Sequence, residues 1–91
     1  MTFYVDRLRH HRLRGTCIEG EWCHLATDAT LEELHAFAAD RLALPRRAFH
    51  AHPRHPHYDL TPSRRAQAIA AGAIEVSSKE LVKRCFRRDA R

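Results

Sequence analysis

No apolar run in this chain approaches the ~20 residues that a bilayer-spanning helix needs, so no transmembrane segment is expected. The opening Met-Thr-Phe-Tyr-Val-Asp reaches an acid without passing through an apolar signal region, and no export signal is read from it. Cysteine is sparse: Cys17, Cys23 and Cys85 form no C-x-x-C pair, and their odd number argues against a disulfide framework. These absences point to a reducing cytoplasm. There is no internal repeat and no sign of a second domain, so residues 1–91 read as one unit. A 44% apolar content is globular rather than disordered. A core of this size is thin, which makes a homodimer a reasonable expectation.

Charge is unbalanced. Sixteen Lys+Arg against eleven Asp+Glu give a net charge of +5, which suits an anionic partner. The bases gather at 7–14, 46–65 and 83–91. The first run, Arg-Leu-Arg-His-His-Arg-Leu-Arg, has too few apolar residues for a helix face, and Gly15 and Gly20 follow. It reads as a basic loop over about 7–20. It lacks the interleaved aromatics that stack on bases, so a solvated surface is favoured over a nucleic-acid interface. The end of the chain, 87–91, reads as a frayed basic tail.

The remaining pattern alternates strand and helix. Residues 2–6 read as a strand with Phe3 and Val5 on one face and Tyr4 and Asp6 on the other. Trp22–Ala26 reads as a second strand, with Trp22 and His24 sharing a face opposite Cys23 and Leu25. Neighbouring Cys23 and His24 therefore point apart, a poor arrangement for a shared zinc, and the cysteines are expected to be buried and inert. Thr30-Leu31-Glu32-Glu33 is a capping box that opens a helix whose apolar stripe is Leu31, Leu34, Ala38 and Leu42, with Phe37 on its flank. His35 stands on the border of that stripe. Pro45 closes the helix, and one further helical turn is expected at Arg46–Phe49.

Residues 50–72 hold the most chemistry. Pro53 and Pro56 break regular structure, so His50, His52 and His55 read as loop residues whose number is not in itself a site. His57-Tyr58-Asp59-Leu60 reads as a strand with His57 and Asp59 on one face. Thr61 and Pro62 then start a helix as N-cap and first residue, Gly72 ends it, and Ala66, Ile69 and Ala70 are its expected packed face. Arg64 and Arg65 occupy the first turn, where the helix dipole favours acids. An anion held there would compensate them, as would a neighbouring carboxylate. Ala73–Val76 is a last strand, and Ser77-Ser78-Lys79-Glu80 opens a last helix through Leu81, Val82, Cys85 and Phe86. The order β-β-α-β-α-β-α argues for an α/β or α+β domain with a parallel or mixed four-stranded sheet.

The string formed by Tyr4-Val5-Asp6, Trp22, His24-Leu25, Thr30 to Ala36, Pro56 to Thr61, Arg64-Arg65-Ala66 and Gly72-Ala73 resembles a family of small bacterial and phage proteins, the domain of unknown function 4031. The resemblance covers nearly the whole chain. The matching residues are Asp6, His24, His35, His57, Tyr58, Asp59, Arg65 and Gly72, and the resemblance implies no reaction. The chain departs from the pattern at Arg7, where a second acid is expected, and at Ala48-Phe49-His50, where a Trp-Phe-Gln-like triplet is usual.

Three functions follow from these residues. In the first, His57, Asp59 and His35 form a catalytic group, while Arg64, Arg65, Thr61 and Tyr58 hold a phosphate-bearing or other anionic small ligand. Such a site suits hydrolytic chemistry, with zinc or another divalent metal held by His24, His57, His35 and Asp6. The second is a non-catalytic basic module for nucleic acid or an acidic protein. The third is a structural or regulatory accessory in which the histidines satisfy a small core.

Overall fold

The computed structural model describes residues 2–12 and 19–86, with side chains from residue 20 onward in the second segment. The centre of the fold is a long strand, β3 (Glu19–Thr27), to which three others pair antiparallel. β1 (Phe3–Val5) runs along its far end and β2 (Arg9–Arg12) along its start. On the other side lies β5 (His57–Leu60), which is flanked in turn by β4 (Phe49–His50). β6 (Ile74–Glu75) pairs parallel to β1, so the sheet is mixed and the class is α+β. Six strands are present among the described residues, against the four legible in the sequence.

The two added strands are β2 and β4. β2 corrects the reading of a loop from residue 7 onward: Arg9 to Arg12 pair with Trp22 back to Glu19. Pairing with an existing strand imposes extended backbone on a segment whose own residues carry no strand signal. Residues 13–18, including Cys17, and the tail 87–91 lie outside the described residues.

Both sheet faces are covered. α1 (Leu31–Leu42) and α2 (Pro62–Ala70) lie on one face, where Val5, Cys23, Leu25, Leu34, Leu42, Tyr58, Leu60 and Ala68 form the main core. Each fully buried leucine contributes roughly 1.5–3 kcal/mol relative to exposure. α3 (Ser78–Leu81), which continues as a π-helical turn through Val82–Phe86, covers part of the other face. There Leu81 and Cys85 meet Tyr4 and Ala26 in a smaller cluster.

Local signals set most element ends. The Thr30–Glu33 capping box is complete, with both reciprocal hydrogen bonds made. Thr61 and Ser77 cap α2 and α3 through their side chains, and Arg46–Ala48 form a single 3-10 turn. Gly72 has φ 111°, a left-handed conformation that ends α2. Two helix faces differ from expectation. Leu31 is 42% exposed while Phe37 is buried and stacks on Phe3. In α2 the inward stripe is Arg64, Arg65, Ala68 and Ile69, whereas Ala66 and Ala70 are exposed. Arg65 accounts for part of the difference, because its stem lies along the sheet and its Nε reaches the Asp6 carbonyl. Among the described residues, no helix is long and apolar enough to cross a membrane.

Candidate functional site

The site begins with a fault in the β-ladder. Val5 pairs with Leu25 and Arg9 with Trp22, so Asp6, Arg7 and Leu8 face only Cys23 and His24. This is the extra-residue geometry of a β-bulge, which re-aims a side chain and breaks ladder bonding. Asp6 N–H still donates to the His24 carbonyl at 3.3 Å. In return, the His24 N–H donates to Asp6 Oδ1 at 2.7 Å, so a carboxylate oxygen takes a carbonyl's place in the ladder. The Asp6 carbonyl accepts instead from Arg65 Nε at 2.8 Å.

The other Asp6 oxygen faces outward into the site. His24 Nδ1 lies 2.8 Å from Oδ2, and the Ser78 hydroxyl donates to the same oxygen at 2.9 Å. Burial acts to raise the Asp6 carboxyl, but the His24 and Ser78 hydrogen bonds and the His24 charge outweigh it, leaving it below its ordinary value. The His24 imidazole is raised, chiefly by its bond to Asp6 and against its own burial. Because Oδ2 can only accept, His24 carries a proton on Nδ1 and its Nε2 remains available.

His24 pairs directly with Asp59 across β3 and β5, and His57 follows two residues before Asp59 on the same face. His57 Nδ1 donates to the His55 carbonyl at 2.6 Å, so this ring too keeps Nε2 free. That Nε2 is 3.4 Å from Asp59 Oδ1. Asp59 Oδ2 lies 2.9 Å from His50 Nε2, and the His50 and His57 rings stack with 4.9 Å between centroids. Burial acts to raise Asp59, but the His57 hydrogen bond and the charges of His57, His50 and His24 bring it below its ordinary value. One ligand atom each from His24, His57 and Asp59 lies within 4.8 Å of the others. Around a tetrahedral zinc such atoms stand roughly 3.5 Å apart, so about an ångström of side-chain movement closes the group.

Of these residues Asp6, His24, His57 and Ser78 open onto a cavity of about 270 Å³ between the sheet and the last helix. Asp6, His24 and His57 line one side, and Leu81, Val82 and Phe86 the other, with His52 and His55 at the loop. The turn that carries the apolar wall is π-helical, an arrangement often found beside functional sites.

The structure gathers some of the expected residues and separates others. His24, His57, Asp59 and Asp6 converge, with Asp6 behind His24 rather than in the ligand triad. His35 and Tyr58 lie on the main-core side, His35 Nδ1 2.7 Å from the Tyr58 hydroxyl and its ring edge-on to Phe49. The Thr61 hydroxyl caps α2. Arg64 turns to Gln67, and Arg65 binds the Asp6 carbonyl and Glu75, so these two side chains do not converge with Thr61 and Tyr58. His52 and His55 lie in the loop as expected and line the cavity, whereas His50, also read as a loop residue, belongs to β4 and touches Asp59. Two residues that were missed are Ser78 and His50. Nothing local marks Ser78. His50 had a signal: histidines flanking the Pro53–Pro56 segment are placed for cross-strand pairing, and His50 does pair with His57.

The fold and its polar face define a small α+β domain with a His/Asp cluster on the less covered side of a mixed sheet. The family model described as protein of unknown function DUF4031 matches residues 3–88, and the chain belongs to that family. Neither the curated proteins nor the solved structures include a match.

Proposed function

We propose that this domain binds one divalent transition metal through His24 Nε2, His57 Nε2 and an Asp59 oxygen, and presents it to a small ligand in the adjoining cavity. One observation carries this reading: each of the three groups is already oriented by a partner outside the triad, while the atoms facing inward lie close to one another. Asp6 holds His24, the His55 carbonyl holds His57, and His50 holds Asp59. Metal-binding histidines are supported in this way, which fixes the tautomer and the ring plane. Ordinary surface histidines have no need of it.

Two imidazoles and one carboxylate suit zinc or a related ion and leave a coordination position open. An ion so held polarises oxyanions and lowers the pKa of bound water, which fits hydrolysis of a small ester or phosphoester. The chain's own residues hold the ligand set in place, and the apolar wall limits water around it.

Elemental analysis of the untagged protein tests the reading, alongside His57→Ala and Asp59→Asn. About one metal per chain is expected in the parent and a loss of most of it in either variant. Negligible metal in all three, after supplementation with zinc, cobalt or manganese, refutes it.

A further inference from the structure

The two ends of the cavity differ in character. At one end stand the inner nitrogens of His24 and His57. At the other, Phe86 meets His55 edge-on at 5.0 Å and 71°, with Leu81 and Val82 beside them. An apolar wall with one aromatic ring thus lines the same cavity as a group of metal-binding type.

Charge is equally one-sided. Among the described residues Asp6 is the single acid lining the cavity, and its oxygens are occupied by His24 and Ser78. With a divalent ion in place, the cavity would attract negative charge at its polar end. Its volume of about 270 Å³ falls just under the ~300–1,000 Å³ typical of small-molecule sites, enough for one ring and a head group rather than a dinucleotide or polymer.

We infer that the cavity takes a small aromatic oxyanion, a single ring bearing a phosphate or carboxylate, with its oxygens on the metal and its ring against Phe86 and His55. The inference rests on the metal-binding reading above and names the class of ligand that reading leaves open. An anionic head suits the metal, and an aromatic body suits the apolar side chains of Leu81, Val82 and Phe86. A cationic head has no free carboxylate to meet in the cavity.

The test uses the full chain loaded with Co²⁺, titrated separately with phenylphosphonate, benzoate, methylphosphonate and benzylamine. Visible absorption follows the metal, and calorimetry follows binding. At least one of phenylphosphonate and benzoate is expected to change the Co²⁺ spectrum and to bind about tenfold or more tightly than methylphosphonate. Benzylamine is expected to bind more weakly than either. Phe86→Ala should remove most of the aromatic margin, and Phe86→Leu part of it, with Co²⁺ affinity held within about twofold. The comparison of ligands on the parent protein needs no variant to fold. If methylphosphonate or benzylamine matches the aromatic anions, the ligand class is overturned while the metal site stands. If no Co²⁺ spectrum depends on His57, both readings fall together.

Discussion

Replacing Asp6 with asparagine probes the site through a residue that lies behind the proposed ligand set. Asp6 is 1% exposed, and its carboxylate accepts from the His24 N–H at 2.7 Å, His24 Nδ1 at 2.8 Å and the Ser78 hydroxyl at 2.9 Å. In Asp6→Asn the amide oxygen can keep the first of these bonds. The amide nitrogen then presents a donor to His24 Nδ1 and to Ser78, where an acceptor stood. Hydrogen bonds to charged groups contribute roughly 1.5–3 kcal/mol each. The serine hydroxyl can turn to accept and the imidazole can accept on Nδ1, so the net loss should be near one such bond, about 1.5–3 kcal/mol. For a domain of this size that lowers Tm by about 6–24 °C. The effect on metal is sharper in meaning. Accepting on Nδ1 moves the imidazole proton to Nε2, the atom proposed to bind the ion, and affinity should fall about 10–100-fold. Circular dichroism of metal-free protein reads the first effect, and Co²⁺ titration of the folded variant reads the second. Ser78→Ala is the control: it removes one hydroxyl donor to Asp6, costs about 1 kcal/mol, and should leave metal affinity within about twofold. An Asp6→Asn protein that binds Co²⁺ as the parent does would refute the orienting role.

Three further outcomes are expected. In metal-free protein the raised His24 contributes stability that is complete below its unfolded value of 6.5 and is lost as pH rises through its folded value. The lowered Asp6 and Asp59 contribute stability present above 3.8 and lost as pH falls through their folded values. Urea titrations between pH 3 and 9 on the order of one unit apart should show both slopes, and Asp6→Asn should flatten the upper one; an unchanged upper slope contradicts the assignment to His24. Cys23 is buried with its thiol pushed up to about 12, so it should resist iodoacetamide at pH 8 until the protein unfolds, as peptide mapping by mass spectrometry will show. Ala43 ends α1 at φ 52°, where a Cβ is strained, so Ala43→Gly should stabilise the domain by about 0.5–1 kcal/mol in urea unfolding, and a loss of stability would count against strain there.

Much of this architecture is legible in the sequence where the signal is local. The Thr30–Glu33 box, Thr61-Pro62 and Gly72 mark helix ends because caps and left-handed turns depend on a few adjacent residues. The shared face of His57 and Asp59, and the outward placement of His24 opposite Cys23, follow from strand alternation alone. The strand made by Arg9–Arg12 is not legible, because its conformation comes from pairing with Glu19–Trp22 and not from its own residues. Grouping His35 with His24 treats two histidines as neighbours, yet the sheet lies between the helix that carries one and the cavity that holds the other. Ser78 reaches Asp6 across 72 positions, a contact that only the closed fold creates.

That contact has a consequence for assembly. The groups of the site come from β3, β4, β5, α3 and the residue after β1, and no short segment holds enough of them to bind an ion well. Binding at the proposed metal site would therefore be thermodynamically linked to folding: an ion at a thousand times its Kd would add about 4 kcal/mol to the native state, a large share of the stability of so small a core. The π-helical turn after Leu81 would then be anchored from a distance, through Ser78 and Asp6, by an ion it does not touch. Chelation should loosen that wall before it unfolds the sheet, so the cavity would lose its shape at the moment it loses its charge.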